Sequence, residues 1–208
     1  MKLAKLLLFV VLLSPFFISA PSQARVSAFE DKQSERQFGI SPGVMAPHDL
    51  SGTDQYGNKV DLKSLTGRNG VVVYFVRSSN WSKHCIFQLE NVSRRGSIIE
   101  DTGYNIVVIS NETEAALERF SRKYDFPYPM IADTNSEIIR AFDIMNEAYL
   151  PKTSYYGVAH PAIYVIGSDG LMLDKFFHEE ISQRPNVEDV RSAIDMLGDY
   201  TPVTNITE

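Results

Sequence analysis

The chain predicts an α/β fold of three layers, a mixed central sheet with helices on both faces. Three observations carry this. Residues 71–76 and 106–109 are short, continuously apolar runs, as central buried strands are. Each is followed by a stretch with apolar residues at helical spacing, and strand–helix–strand units demand parallel crossovers. Late in the chain, residues 162–166 and 171–177 flank the turn Ser168-Asp169-Gly170, a hairpin that adds antiparallel strands.

In order, residues 1–24 read as an export signal. Lys2 and Lys5 precede an apolar run at 6–19 that contains Pro15, and Ser22-Gln23-Ala24 offers small residues for a signal peptidase. The run is shorter than the roughly 18 residues of a membrane span, and an uncleaved N-terminal anchor is the competing reading. Residues 25–47, with Pro42-Gly43 and Pro47, form an expected N-terminal arm, and one domain follows over 48–198. Residues 50–65 form a hairpin about Tyr56-Gly57-Asn58, with Thr53, Val60 and Leu62 in alternation. The strand at 71–76 comes next. From Ser82 the pattern turns helical, with Ile86, Leu89 and Val92 on one face, and Gly103 ends it.

After the strand at 106–109, Asn111 is placed to cap a helix with Glu114 three residues on and an apolar face of Ala116, Leu117, Phe120 and Tyr124. Residues 130–132 make a short strand before the turn Asp133-Thr134-Asn135, and a helix buries Ile138, Ile139 and Phe142. The late hairpin leads to a last helix over 186–197, with Val187, Val190, Ile194 and Leu197 at helical spacing. Residues 199–208 are an expected frayed tail. There are no internal repeats and no low-complexity tracts.

The formal net charge is −6, and it becomes −8 when Lys2 and Lys5 leave with the signal. An acidic chain without a basic run argues against nucleic acid and anionic membranes as partners. The 184 residues that remain are enough for one well-buried domain. Export implies a periplasmic or secreted protein in an oxidising compartment. The single cysteine, Cys85, cannot close an internal disulfide; it is free, capped, paired with another molecule, or buried. Sequons at Asn80, Asn91, Asn111 and Asn205 matter only in a eukaryotic secretory pathway. No metal-ligand spacing is present, and neither metal nor cofactor is expected.

Six segments stand out: Gly57-Asn58-Lys59-Val60-Asp61-Leu62, Val73-Tyr74-Phe75-Val76-Arg77-Ser78, Trp81 with Cys85 and Gln88-Leu89, Ile139-Arg140-Ala141-Phe142, Gly157-Val158-Ala159-His160-Pro161 and Lys175-Phe176-Phe177. In this order they resemble the AhpC/TSA, peroxiredoxin-like (redoxin) branch of the thioredoxin superfamily. The resemblance runs from about residue 49 to 197 and implies a thioredoxin-like fold. Relatives commonly read Trp-Cys-Pro-X-Cys where this chain has Trp81-Ser82-Lys83-His84-Cys85. In the peroxiredoxin pattern Pro-X-X-X-Thr-X-X-Cys, Ser82 takes the threonine place and Ser78 the proline place. A peroxiredoxin arginine of the later strand is replaced by Pro161, which instead resembles the cis-proline opposite a thioredoxin active site.

These positions carry the expected chemistry. Cys85, in the first turn of a helix, lies near unpaired N–H groups and the positive end of the dipole, which favour a thiolate; packing as a small apolar residue is the alternative. Ser82 can cap the helix and can also donate to a thiolate or peroxide oxygen. Arg77 can hold the thiolate or bind substrate through charge-assisted bonds, or form a surface ion pair. Trp81, His84, His160 and Pro161 are the expected substrate groove, with Pro161 a candidate cis peptide that brings His160 near Cys85. Lys83 and His84 add positive charge without facing Cys85 directly. His48 and His178 read as surface histidines, and Arg184 and Glu179 as a structural ion pair at most. A copper or zinc site at Cys85, His84 and His160 is conceivable only through the fold.

The resemblance implies an exported, one-cysteine, peroxiredoxin-like thiol oxidoreductase. It would reduce a small peroxide or a protein disulfide and be restored by an external thiol. The alternative is a degenerate thioredoxin-fold module that binds partners in the proline groove.

Overall fold

The computed structural model describes residues 39–177 and 184–198. The expected signal, residues 25–38 of the arm, His178, Glu179 and the tail at 199–208 lie outside the described residues. Among those described, the strands are β1 (Ser51–Asp54), β2 (Lys59–Asp61), β3 (Gly70–Phe75), β4 (Tyr104–Ser110), β5 (Met130–Ala132), β6 (Ala162–Gly167) and β7 (Met172–Phe177). The helices are α1 (Lys83–Arg95), α2 (Ser97–Glu100), α3 (Glu114–Tyr124), α4 (Glu137–Ala141) and α5 (Val187–Leu197). None is long and apolar enough to cross a membrane.

The strands form one sheet in the order β2-β1-β5-β4-β3-β6-β7. The pairs β3–β4 and β4–β5 are parallel; those of β1 with β2 and β5, and of β6 with β3 and β7, are antiparallel. This is the mixed sheet that the crossovers and the late hairpin predict. Every residue of β3 is buried, as its unbroken apolar run requires of a strand covered on both sides.

Alternation along β3 divides the core. Val72, Tyr74 and Val76 join Cys85, Leu89 and Val92 of α1, Leu117 and Phe120 of α3, and Val187, Val190 and Ile194 of α5. Val71, Val73 and Phe75 join Ile138 and Ile139 of α4 and Phe142 on the opposite face. Each fully buried aliphatic side chain contributes roughly 1.5–3 kcal/mol, so the central strand anchors firmly whatever follows its end.

Local chemistry differs from expectation at three places. The helical stretch from Ser82 breaks at Gly96, where a Cβ would strike the Tyr128 ring and Val92 O; two helices result. Asn111 does not cap α3. Its amide donates to Tyr156 O at 3.1 Å, and the cap position falls to Thr113, whose carbonyl accepts from Ala116 N and Leu117 N. Residues 39–47, expected within an arm, lie against the β6–β7 turn, with Ala46 N donating to Gly170 O at 2.9 Å and Met172 N to Val44 O at 2.9 Å.

Candidate functional site

Register brings three chain segments to one end of the sheet. Phe75 at the end of β3 pairs with Ala162 at the start of β6, so His160-Pro161 lies beside Val76-Arg77. Ala162 also pairs with Phe177 at the end of β7, so the chain leaves β7 at that same end before Arg184-Pro185-Asn186 enters α5. The third segment is the loop after β3 and the first turn of α1.

Cys85 is the third residue of α1 and is fully buried, with the apolar side chains of that core face around it. It is a free thiol. The Arg184 guanidinium lies close beside the Cys85 side chain. Burial holds Arg184 below the ordinary arginine range, the Cys85 contact works against that, and the nearby charge of Arg77 adds to the lowering. Contacts with α1 steer Arg184 there: Val187 N donates to Asn91 Oδ1 at 3.3 Å, and Gln88 Nε2 reaches Pro185 O at 3.5 Å. Arg184 and Pro185 also line a surface groove of about 210 Å³ with His84, Phe87, Gln88, Asn91 and Asn186.

Arg77 stands beside this pair, half-buried. Its Nη2 donates to Tyr149 Oη. Its guanidinium lies 5.0 Å from the centre of the Trp81 ring and 5.9 Å from that of Tyr149, and Tyr155 packs edge-on against Trp81 at 4.8 Å. Cation–π contacts of this kind hold a guanidinium where water is scarce. Burial, and then the charge of Arg77, hold His160 below its ordinary value of 6.5, so His160 is largely neutral at pH 7.

Glu112, just beyond β4, organises the loop. Its carboxylate accepts from Ser78 Oγ at 2.7 Å, Ser79 N at 2.6 Å, Ser79 Oγ at 2.9 Å and Ser110 Oγ at 3.2 Å. Ser78 Oγ in turn accepts from Asn80 N at 2.9 Å and Trp81 N at 3.1 Å. The backbone leading into α1 is thereby hung on one carboxylate.

Ser82 occupies the cap position of α1, but its side chain makes no capping bond. The backbone there is extended, as at a cap, but the expected capping bond from the buried hydroxyl does not form. His84 is exposed, on the groove and not against the thiol. Pro161 is buried next to Ala162, and no described peptide bond is cis. An extended trans link already joins the His160 N–H, bonded to Ile144 O at 2.7 Å, to the β6 register, so the expected cis bend is absent. Among the described residues no three metal-ligating side chains converge, and His84, Cys85 and His160 do not form a metal site.

The sequence reading missed three residues. Arg184 touches Cys85 where a structural ion pair at most was expected. In the sequence it is only a basic residue before a proline at a β-to-α junction. Glu112 and Tyr149 carry no motif at all; Glu112 reaches the loop through Ser78 and Ser79, 34 and 33 residues away in the chain, and Tyr149 reaches Arg77 across 72.

Comparison with known proteins places this geometry. The AhpC/TSA family model matches residues 42–174. The thiol-disulfide oxidoreductase ResA of Bacillus cereus is 25% identical over 133 residues, which cover 64% of this chain and 68% of that protein. Peroxidoxin BcpB from Mycobacterium tuberculosis superposes with a TM-score of 0.63 at 18% identity, covering 77% of this chain and 96% of its own. A variant of peroxiredoxin 6 from Arenicola marina gives 0.67 at 17% identity, covering 79% and 81%. The two solved structures establish a likeness of fold, which is thioredoxin-like.

Proposed function

The chain belongs to the AhpC/TSA family, in the redoxin branch of the thioredoxin superfamily, and from that premise we propose that it is an exported thiol oxidoreductase working through Cys85 alone. The observation that carries this reading is the Arg184 guanidinium set close beside the fully buried Cys85 side chain. A thiol kept only to fill space needs no guanidinium, and burying one is costly unless it meets an anion. The start of α1 supports the same reading. It has no side-chain cap and no acidic residue in its first turn, so a thiolate is the anion that its positive end can hold.

In the proposed reaction the Cys85 thiolate attacks one peroxide oxygen and the O–O bond breaks. The other oxygen leaves as an alkoxide or hydroxide and takes a proton, while the sulfur becomes a sulfenic acid. One external thiol displaces water to give a mixed disulfide. A second attacks that disulfide, releasing the Cys85 thiol and an external disulfide. Arg184 stabilises the sulfur anion, Arg77 faces the substrate, and Ser82 offers an uncommitted hydroxyl three residues before the thiol. Trp81, His84, His160 and Pro161 border the approach.

The test is consumption of hydrogen peroxide with an external thiol, wild type against Cys85→Ser. Loss of turnover in the variant is expected, and equal rates reject the proposal. The complete burial of Cys85 favours a second reading, a degenerate module that binds partner proteins beside Pro161. An intact chain that neither turns over peroxide nor reacts with a thiol reagent selects it. For the export signal at 1–24, the mature N-terminus decides; a chain recovered from the exporting cell with Met1 in place counts against cleavage.

A further inference from the structure

Arg77 is a half-buried cation whose hydrogen-bond and ring partners among the described residues are all neutral. Its Nη2 is bonded to a phenol oxygen and its face lies over Trp81 and Tyr149. Among the described residues it makes no ion pair, and its Nε is buried without a hydrogen-bond partner. The carboxylate of the adjoining loop, Glu112, is engaged by Ser78, Ser79 and Ser110. Among the described residues this guanidinium meets no anion, and an unmade bond from a buried charged donor is expensive. Rings on two sides and the Tyr149 hydroxyl fix its fork in place, so it is pre-organised for a planar anion.

We infer that Arg77 is a carboxylate-binding subsite beside Cys85, and that the electrophile meeting the thiol carries a carboxylate. This rests on Cys85 being the reacting thiol, and deepens that reading by assigning a substrate class. Arg184 serves the sulfur while Arg77, one step outward, serves the ligand. Arg77 adds its charge to the surroundings of both Arg184 and His160, which puts each of them within electrostatic reach of it.

Two alkylating reagents of nearly equal size test the idea. Iodoacetate carries the carboxylate and iodoacetamide is neutral. The rate ratio of the two at Cys85 is expected to fall about tenfold in Arg77→Met, equivalent to one charge-assisted bond, and to fall by an intermediate amount in Arg77→Lys, which keeps the charge and loses the fork. A ratio changed less than about twofold by Arg77→Met overturns the inference. A thiol-independent arm covers the case in which neither reagent reacts, which is a failure of the thiol reading. In Cys85→Ser, acetate is titrated while the His160 ring signals are followed by NMR. Saturable shifts that vanish when Arg77→Met is added keep the carboxylate site, and their absence overturns it.

Discussion

Replacing Glu112 with alanine tests whether the loop before Trp81 is held from a distance. The carboxylate receives four hydrogen bonds, the shortest from the buried Ser79 N–H at 2.6 Å. A hydrogen bond to a charged group nets about 1.5–3 kcal/mol, and an orphaned buried donor costs about 1–3 kcal/mol. The contacts form one network around a half-buried group, so they do not add, and water replaces part of what is lost. A net loss of about 2–4 kcal/mol is expected. Urea unfolding reads this as a midpoint lowered by about 1–2 M at a slope near 2 kcal/mol/M. Glu112→Gln keeps an acceptor oxygen and should lose about half as much. Because Asn80 N and Trp81 N depend on Ser78 Oγ, Cys85 alkylation should also change in rate. A loss below about 0.5 kcal/mol, the level of an ordinary surface substitution, with unchanged alkylation, refutes the argument that one carboxylate sets this loop.

Three further outcomes follow from the same geometry. Arg184→Met should slow the reaction of Cys85 with peroxide or iodoacetamide at pH 7 by roughly tenfold to a hundredfold, the value of one bond to an ionised sulfur; an unchanged rate removes Arg184 from the chemistry. Tyr149→Phe keeps the ring over Arg77 and deletes the hydroxyl, so it should cost about 1 kcal/mol and lower the iodoacetate preference, with stability measured in urea and an unmoved preference counting against the clamp. His160 lies below 6.5 in the folded chain, through burial and then Arg77. Its contribution to stability is therefore complete above about pH 6.5 and is lost as pH falls from there through the folded value. Unfolding free energies at pH 7.5 and 5.5 should reveal that loss, and Arg77→Met should shrink it; a His160 that titrates at or above 6.5 by NMR contradicts the placement.

The fold was legible because its signals are local. The apolar runs that became β3 and β4, and the turn at 168–170, each carry a period or a turn chemistry within ten residues. Position 85 at a helix start was legible for the same reason. What escaped was everything that depends on register between distant strands. The pairing of Phe75 with Ala162, and of Ala162 with Phe177, brings Arg184 to Cys85 across 99 residues of chain. No spacing rule encodes that, so Arg184 read as an inert basic residue. The cap at Asn111 failed for a related reason. Its amide had a better partner in the Tyr156 carbonyl, supplied by a loop that local propensity could not foresee.

The same register bears on how Ser82 and Cys85 are read. Read by position alone, Ser82 stands where a thioredoxin keeps its attacking cysteine, and Cys85 is the partner left behind. A remnant thiol is free to relax toward apolar packing, and the residues around it have no reason to remain charged. Here the charged groups converge on it. The Arg184 guanidinium lies beside the sulfur, Arg77 makes no ion pair among the described residues, and the first turn of α1 has no side-chain cap. Positive charge gathered at one end of an acidic chain, around its only thiol, carries a continuing cost in desolvation. Under the proposed reading that cost is offset by an ionised sulfur at Cys85 and, with the carboxylate inferred above, by an anionic ligand at Arg77; the remnant reading supplies neither.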